Sequence, residues 1–304
     1  MRKILTKKQL IILISSVLFI LIASFTSLVI VRQNNFNKIE NSTELTEIEQ
    51  NELNNIKQSK YKTRNEILSE LPYNLKKTTL DISAESAILI DQNTGNILYE
   101  KNADEIIPPA SMTKLFVMYV VDEEISANRF SYNQIIPLPE ESLACNMPPD
   151  SSLMFLGEGQ IVTLEELILG LSICSGNDAT YALAYTISGS MEAFIERMNT
   201  TAQNLELINT HFVESSGYSE LNQTTAREMA TFARIYLQKH PDSLQRFHSV
   251  RSFTYPKEQN MAEGDVYQAQ DWSNGFPRHI TMGITQKNTN PLLGKLEGCD
   301  GIKT

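Results

Sequence analysis

The chain has 304 residues, of which 41% are hydrophobic and 20% are charged, and its formal net charge is −10. This is ordinary globular composition, with length enough for one large domain or two small ones. The acidic balance argues against a nucleic-acid partner, because binding to phosphates needs clustered cations.

The N-terminal segment carries the signals of a membrane anchor. Four cations precede an uncharged, mostly apolar run of 22 residues from Leu10 to Val31. As a helix this run would reach about 33 Å, roughly the thickness of the hydrocarbon core. The cations predict a cytoplasmic tail at residues 1–9 and a single span at residues 10–31, with the remainder outside the cytoplasm. A cleaved signal peptide is the alternative, although this run is long for one and ends without a small-x-small cleavage site.

Residues 32–80 have the composition of a polar spacer. Asn, Glu, Lys, Gln and Ser dominate this stretch, and glycine is absent from it. Such segments bury too little apolar surface to form a core of their own. We expect a partly helical linker that holds residues 81–304, the main domain, away from the membrane.

The main domain begins with a predicted β-hairpin. The short strands Ala87–Asp91 and Asn96–Glu100 are joined by residues with turn chemistry. Pro108 and Pro109 then end the extended chain. The following run, Leu115–Val121, is apolar on every side, which predicts a fully buried helix.

Helices are predicted through the middle of the domain and extended segments at its end. Thr163 and Glu166 form a predicted capping box before an apolar helix. Strands at both ends of a helical middle indicate an α+β domain. The later helices are predicted at Asp178–Ile187, Met191–Leu205 and Thr225–Leu237, and the extended segments at His279–Gln286 and Gly298–Thr304.

Ser111 and Lys114 form the first candidate catalytic element. They stand three residues apart at the start of the buried helix, so both side chains lie on one helix face. A serine hydroxyl becomes a strong nucleophile when a neighbouring base takes its proton. A lysine can be that base if burial and a nearby cation favour its neutral form. The spacing therefore predicts a nucleophile and its base.

Two further polar elements lie downstream. Ser175 and Asn177, with Gly176 between them, occupy the connection between two apolar helices, where side chains can project into a cleft. Taken alone, this could be an ordinary interhelical turn. Lys303 and Thr304 close a final extended stretch, which taken alone could be a charged terminus.

In this order the three elements are the motif set of penicillin-binding proteins and serine β-lactamases. Over residues 81–304 the chain resembles the D-alanyl-D-alanine carboxypeptidases, the low-molecular-weight penicillin-binding proteins. The 64-residue spacing from Ser111 to Ser175 looks normal for them. The 128 residues from Ser175 to Lys303 look long, which suggests an insertion around residues 252–277. Gly176 is typical of the carboxypeptidases, whereas β-lactamases usually have Asp there.

The resemblance implies a β-lactamase/DD-peptidase-like fold, an antiparallel sheet with a helical subdomain. It also implies a peptidoglycan stem peptide ending in D-Ala-D-Ala as substrate and β-lactam antibiotics as covalent inhibitors, with no metal or organic cofactor. The terminal D-alanine would leave and water would release the acyl group. The implied roles are Ser111 as nucleophile, Lys114 as base, Ser175 as proton relay, Asn177 as substrate holder, and Lys303 with Thr304 as the carboxylate anchor.

The chain departs from the family pattern at its end. That pattern continues with a glycine after Thr304 and with further strands. We therefore expect a fragment that lacks the C-terminal part of the domain, a naturally truncated and inactive product being the alternative.

Three other functions remain open at this stage. A D,D-endopeptidase of the same family would cut cross-links, and a β-lactamase would hydrolyse antibiotics. Gly176 and the lack of an evident glutamate-based deacylation motif disfavour the β-lactamase. A non-catalytic penicillin-binding fragment is the third. The cysteines, Cys145, Cys174 and Cys299, are too few for a disulfide framework and are interpreted as idle thiols.

Overall fold

The computed structural model describes residues 68–70, 80–261 and 277–302. The chain divides into a unit of residues 1–63 and a unit of residues 64–304, and every described residue belongs to the second. The predicted span at residues 10–31 lies outside the described residues, as does most of the predicted spacer. Within the described ranges, no helix is long and apolar enough to cross a membrane.

Helices fill the middle of the unit, and short strands lie before, among and after them. The mixed architecture of helices and sheets predicted from the sequence is therefore confirmed. The helices are α1 (Thr113–Ser126), α2 (Leu164–Cys174), α3 (Asn177–Ser188), α4 (Met191–Asn204) and α5 (Ala226–Lys239). The strands are β1 (Ser69–Glu70), β2 (Ala87–Ile90), β3 (Asn96–Lys101), β4 (Ile106–Ile107), β5 (Ile135–Ile136), β6 (Val162–Thr163), β7 (Thr224–Thr225), β8 (Ser252–Tyr255) and β9 (Ile284–Lys287).

The predicted hairpin is present as strands β2 and β3. They pair antiparallel from Ala87 opposite Lys101, and the register shifts at a bulge between Leu89 and Ile90. Strand β1 joins the other edge of β3, but it runs parallel to it. Leu68, next to β1, is buried. Part of the stretch expected to be spacer therefore contributes to the sheet, and this sheet is not purely antiparallel.

Helix α1 is the centre of the core, as its uniformly apolar sequence predicts. Residues Leu115–Val121 are all buried. The ring of Phe116 stacks on Phe232 of α5 with a centroid separation of 3.7 Å and also meets Phe212. Because α1 is enclosed on all sides, the residues at its N-terminus are held in a fixed place relative to the surrounding helices.

Helix α2 begins with the capping box predicted from Thr163 and Glu166. The Thr163 hydroxyl accepts a hydrogen bond from the Glu166 amide, while the Glu166 carboxylate accepts one from the Thr163 amide. At its other end α2 stops at Ser175, whose backbone is left-handed with φ 56°. Helix α3 starts two residues later, so this tight connection projects Ser175 from between the two helices.

The C-terminal part differs from the sequence-based expectation. Strand β8 lies within the region expected to be an insertion, and it pairs antiparallel with β9. Its alternate residues Phe253 and Tyr255 are buried, a period-two pattern that marks a half-buried strand. The extended segment expected at His279–Gln286 forms a strand only over Ile284–Lys287.

The prediction of an extended segment from Gly298 onward is also wrong for the residues that the structure describes. Residues 298–302 form no strand, and Gly298, Gly301 and Ile302 all have positive φ angles. A strand needs negative φ at successive residues, so this backbone cannot pair as one. A side chain at Gly301 would collide with the backbone of His248, which shows how closely the segment packs there.

A small polar cluster is enclosed beside α1. The Tyr236 hydroxyl donates to the Asp122 carboxylate at 3.2 Å and lies 3.4 Å from Nε2 of His248. Burial raises the pKa of the Asp122 carboxyl from 3.8 to about 7, against the hydrogen bond from Tyr236. Burial lowers the pKa of His248 from 6.5 to about 4.

These two groups make opposite contributions to stability as the pH changes. The folded state holds the Asp122 proton more tightly than the unfolded chain does, so its contribution falls as the pH rises from about 4 to about 7. His248 is kept neutral, so its contribution rises between about pH 4 and 6.5. The two trends partly cancel in the wild-type protein.

Replacing Asp122 with Asn should expose the first of these trends. At each pH we compare the free energy of unfolding of the variant with that of wild type. The difference, variant minus wild type, should increase by roughly 1–4 kcal/mol from pH 4 to pH 7. Denaturant titrations at several pH values measure it, with Asp242→Asn at an exposed position as the control. A difference between variant and wild type that stays constant across this range would contradict the assignment.

Candidate active site

Ser111 lies in a short 3₁₀ turn, Ala110–Met112, immediately before α1. Lys114 lies in the first turn of α1 and is fully buried. Its Nζ is 3.1 Å from the Ser111 Oγ, the contact expected from their three-residue spacing. The same Nζ donates to the backbone carbonyl of Ser216 at 2.6 Å. The amine is thus held between the serine hydroxyl and a backbone oxygen.

Ser175 approaches Ser111 from the α2–α3 connection. Its Oγ donates to the Ser111 Oγ at 3.0 Å, although the two residues are 64 positions apart. The Ser175 side chain is almost fully buried. The Ser111 hydroxyl therefore lies within hydrogen-bonding distance of both the Lys114 amine and a second hydroxyl.

Asn177 stands at the first position of α3 and is also nearly buried. Its Nδ2 donates to the Ser151 Oγ at 3.1 Å, and its backbone N–H donates to the Ser152 carbonyl at 2.7 Å. These bonds tie the α2–α3 connection to the neighbouring loop. Gly176, between Ser175 and Asn177, has no room for a side chain, because a Cβ there would lie 2.8 Å from the Asp178 carboxylate.

Asp178 is a structural residue of the site that the sequence analysis missed. Its buried carboxylate accepts hydrogen bonds from the N–H groups of Met154, Phe155, Leu156 and Ala179 at 2.8–3.0 Å. Burial raises the pKa of this carboxyl, and the four backbone donors offset only part of that rise. The signal was an acidic residue in the first turn of a helix, but nothing in the sequence identified the distant loop that it fixes.

Ser216 and Gly217 form a second part of the site that was missed. Gly217 has φ +82°, and a Cβ there would overlap the carbonyl oxygen of Ala110. The loop therefore presses directly on the backbone that carries Ser111. A backbone carbonyl has no side-chain signature, so the Ser216 contact with Lys114 could not be read from residue types.

Lys303 and Thr304 lie outside the described residues. Their predicted role as a carboxylate anchor stays a prediction. Cys174 directly precedes Ser175, but burial raises the pKa of its thiol to about 12, so it is not a thiolate at neutral pH. All three cysteines are free thiols. In the described part of the chain, no group of three or more His, Cys, Asp or Glu side chains could hold a metal ion.

A serine hydroxyl between a buried amine and a second hydroxyl is the arrangement of a serine acyl-enzyme that uses a lysine as base. The family model of peptidase S11, D-alanyl-D-alanine carboxypeptidase, matches residues 73–304. The chain therefore belongs to the D-alanyl-D-alanine carboxypeptidase family.

Individual relatives agree with this assignment. The carboxypeptidase DacA of Escherichia coli K12 is 37% identical over 227 residues, which are 73% of this chain and 50% of that protein. DacF of Bacillus subtilis is 32% identical over 222 residues, with the same coverage. The crystal structure of penicillin binding protein 6B from Escherichia coli has 33% identity and a TM-score of 0.62, covering 78% of this chain and 67% of that one. The chain spans about half the length of these curated relatives.

The close approach of Gly217 to Ala110 gives a testable consequence. Gly217→Ala should lower both stability and reaction at Ser111, because the new methyl group must displace the backbone at Ala110 and Ser111. Gly189→Ala is the matched control, since Gly189 also has positive φ but nothing lies within 4 Å of its Cβ position. The control should cost only the backbone strain of about 1 kcal/mol.

The measurements are the free energy of unfolding and the rate of labelling by a fluorescent penicillin. Equal losses in the two variants would show that strain at positive φ, and not the contact with Ala110, decides the outcome.

Proposed function

We propose that the protein is a serine-type D-Ala-D-Ala carboxypeptidase that removes the terminal D-alanine from peptidoglycan stem peptides through an acyl-enzyme. The observation that carries the proposal is the position of the Ser111 Oγ, 3.1 Å from the Lys114 Nζ and 3.0 Å from the Ser175 Oγ. Membership of the carboxypeptidase family supplies the substrate class.

In the acylation step the Ser111 Oγ attacks the carbonyl carbon of the penultimate D-alanine. Its proton passes to the neutral Lys114 amine, which acts as general base. Ser175 passes its hydroxyl proton to the nitrogen of the departing D-alanine as the peptide bond breaks, and it takes the proton of Lys114 in return, so that Lys114 is neutral again. The products of this step are free D-alanine and an ester between Ser111 and the shortened peptide.

Deacylation reverses the proton path. Water attacks the ester carbonyl and gives up a proton to Lys114, and the Ser111 Oγ regains its proton as the ester breaks.

In this proposal Asn177 holds the peptide, and Lys303 with Thr304 binds the terminal carboxylate. The positive charge of Lys303 would also favour the neutral form of Lys114, since like charges in one cleft oppose each other.

The nearest alternative is a D,D-endopeptidase with the same chemistry. The D-alanyl-D-alanine endopeptidase of Pseudomonas aeruginosa is 34% identical, but over only 49% of this chain. The broader coverage by carboxypeptidases favours trimming of terminal residues. Digestion of purified stem pentapeptide and of cross-linked dimer, side by side, distinguishes the two activities. Release of D-alanine from the pentapeptide, with the cross-linked dimer left intact, supports the carboxypeptidase.

The central test is covalent labelling by a penicillin. In a full-length version of the protein, we expect mass spectrometry to find the adduct on the peptide that contains Ser111, and Ser111→Ala to remove it. Lys114→Ala should slow acylation by about 10²–10⁴-fold, because the variant loses the amine that takes the proton of the hydroxyl.

Lys295→Ala is the control for that variant, since it removes a lysine at an exposed position. An adduct on another residue would refute the nucleophile assignment. Labelling of Lys114→Ala at the wild-type rate would refute the role of Lys114 as general base.

We also propose that residues 10–31 anchor the protein in the cell membrane as a single span, with the catalytic domain outside the cytoplasm. The support is the length of the apolar run and the cations before it. Protein purified from membranes should retain Met1–Arg32 when its N-terminus is sequenced. A mature start between Ser24 and Gln50 would show a cleaved signal peptide.

A further inference from the structure

The Lys114 amine is fixed by a loop that lies far away in the sequence. Its bond to the Ser216 carbonyl spans 102 residues and measures 2.6 Å. A neutral lysine amine has two N–H groups and one lone pair. If one N–H is given to Ser216, rotation of the amine is restricted and the lone pair can be kept toward the Ser111 Oγ. The position of the Ser216 carbonyl therefore determines the direction in which the lone pair of the Lys114 amine points.

The Glu214 carboxylate accepts hydrogen bonds from the residues before and after that carbonyl, Ser216 and Gly217. Oε2 of Glu214 accepts from the backbone N–H and the hydroxyl of Ser216 at 2.7 and 2.6 Å. Oε1 accepts from the backbone N–H of Gly217 at 2.6 Å. The N–H of Gly217 belongs to the same planar peptide as the Ser216 carbonyl, and in a trans peptide the two groups point in opposite directions.

Glu214 and Lys114 thus lie at opposite ends of a single peptide group. A negative carboxylate on the N–H side polarises the peptide and makes its carbonyl a stronger acceptor for the lysine. The charge also fixes the orientation of this peptide, because the reversed orientation would turn the carbonyl oxygen toward the carboxylate.

Asn222 joins the same loop to helix α1. Its Nδ2 donates to Oε1 of Glu214 at 2.9 Å and to the Thr113 hydroxyl at 3.2 Å. Its Oδ1 accepts from the Val213 N–H at 2.8 Å. Asn222 and Thr113 are both fully buried. Since Thr113 directly precedes Lys114, the loop is attached to the residue beside the base as well as to the base itself.

We propose that Glu214, supported by Asn222, is a positioning residue of the acylation reaction, and that it acts by orienting the Ser216–Gly217 peptide against the Lys114 amine. This inference rests on the proposed function. It assigns Glu214 no contact with substrate and no share in proton transfer.

The test uses Glu214→Gln, which keeps the size of the side chain but replaces one acceptor oxygen by a donor group. The matched control is Glu220→Gln, the same change at an exposed position in the same loop. Stopped-flow acylation by benzylpenicillin separates the acylation rate constant from the dissociation constant of the preceding complex. We expect Glu214→Gln to lower the rate constant by about 10²-fold, the cost of roughly 1 Å of misplacement, with the dissociation constant unchanged.

Glu214→Asp is the conservative variant, and it restores the charge with a shorter reach. It should recover part of the rate lost in Glu214→Gln. If Glu214→Gln does not fold, Glu214→Asp alone should still show a reduced rate constant with an unchanged dissociation constant. Wild-type acylation by the folded Glu214→Gln protein, or a defect confined to the dissociation constant, would overturn the proposal.

Hydrogen exchange provides a readout that needs no reaction. The amide hydrogens of Ser216 and Gly217 should exchange faster in Glu214→Gln than in wild type or Glu220→Gln. Unchanged exchange would overturn the proposal. Absence of any adduct on Ser111 in the wild type would instead refute the proposed function, while exchange would still test the hold of Glu214 on this peptide.

Discussion

The structure depends on enclosing one amine. A buried lysine is costly unless its hydrogen bonds are satisfied inside the protein. Lys114 lies fully buried at the start of α1, with its Nζ in contact with the Ser111 hydroxyl and the Ser216 carbonyl. The apolar helix that follows it anchors the backbone, so the amine has little freedom to move away. Burial disfavours the charged form of a lysine, whereas an exposed lysine would be charged at neutral pH. The two polar contacts hold the amine beside the Ser111 hydroxyl.

The hydrogen bonds of Lys114 and Ser111 bring together segments that the sequence keeps far apart. Ser175 comes from the α2–α3 connection and Ser216 from the loop before β7. The backbone packs closely at both joins, and a side chain at Gly176 or Gly217 would have no room. Gly217 thus follows from the close approach of its loop to the backbone at Ala110 and Ser111, and Gly176 follows from its closeness to the Asp178 carboxylate and the Met154 amide. This accounts for Gly176 without reference to any relative.

The sequence predicted those features that depend on neighbours along the chain. The hairpin β2–β3, the capping box of α2 and the Ser111–Lys114 contact all follow from local spacing, and the structure has them. The juxtaposition of Ser175 with Ser111 required the family resemblance. The Ser216 carbonyl, the loop fixed by Asp178 and the pairing of β8 with β9 depend on tertiary contacts between distant segments. Local patterns carry no information about such contacts, although the alternation of Phe253 and Tyr255 could have indicated β8.

The acidic composition has a structural explanation in these loops. Irregular segments lack the regular ladders that satisfy backbone N–H groups, so each buried N–H needs another acceptor. An ionised carboxylate has two oxygens that only accept, and it can therefore serve several donors at once. Asp178 accepts from four backbone amides, and Glu214 organises the loop beside Lys114. Glu228 does the same at Asn209 and Thr210. Since Asp178 and Glu228 are buried, part of the acidic composition lies inside the domain, where these side chains hold irregular segments in place.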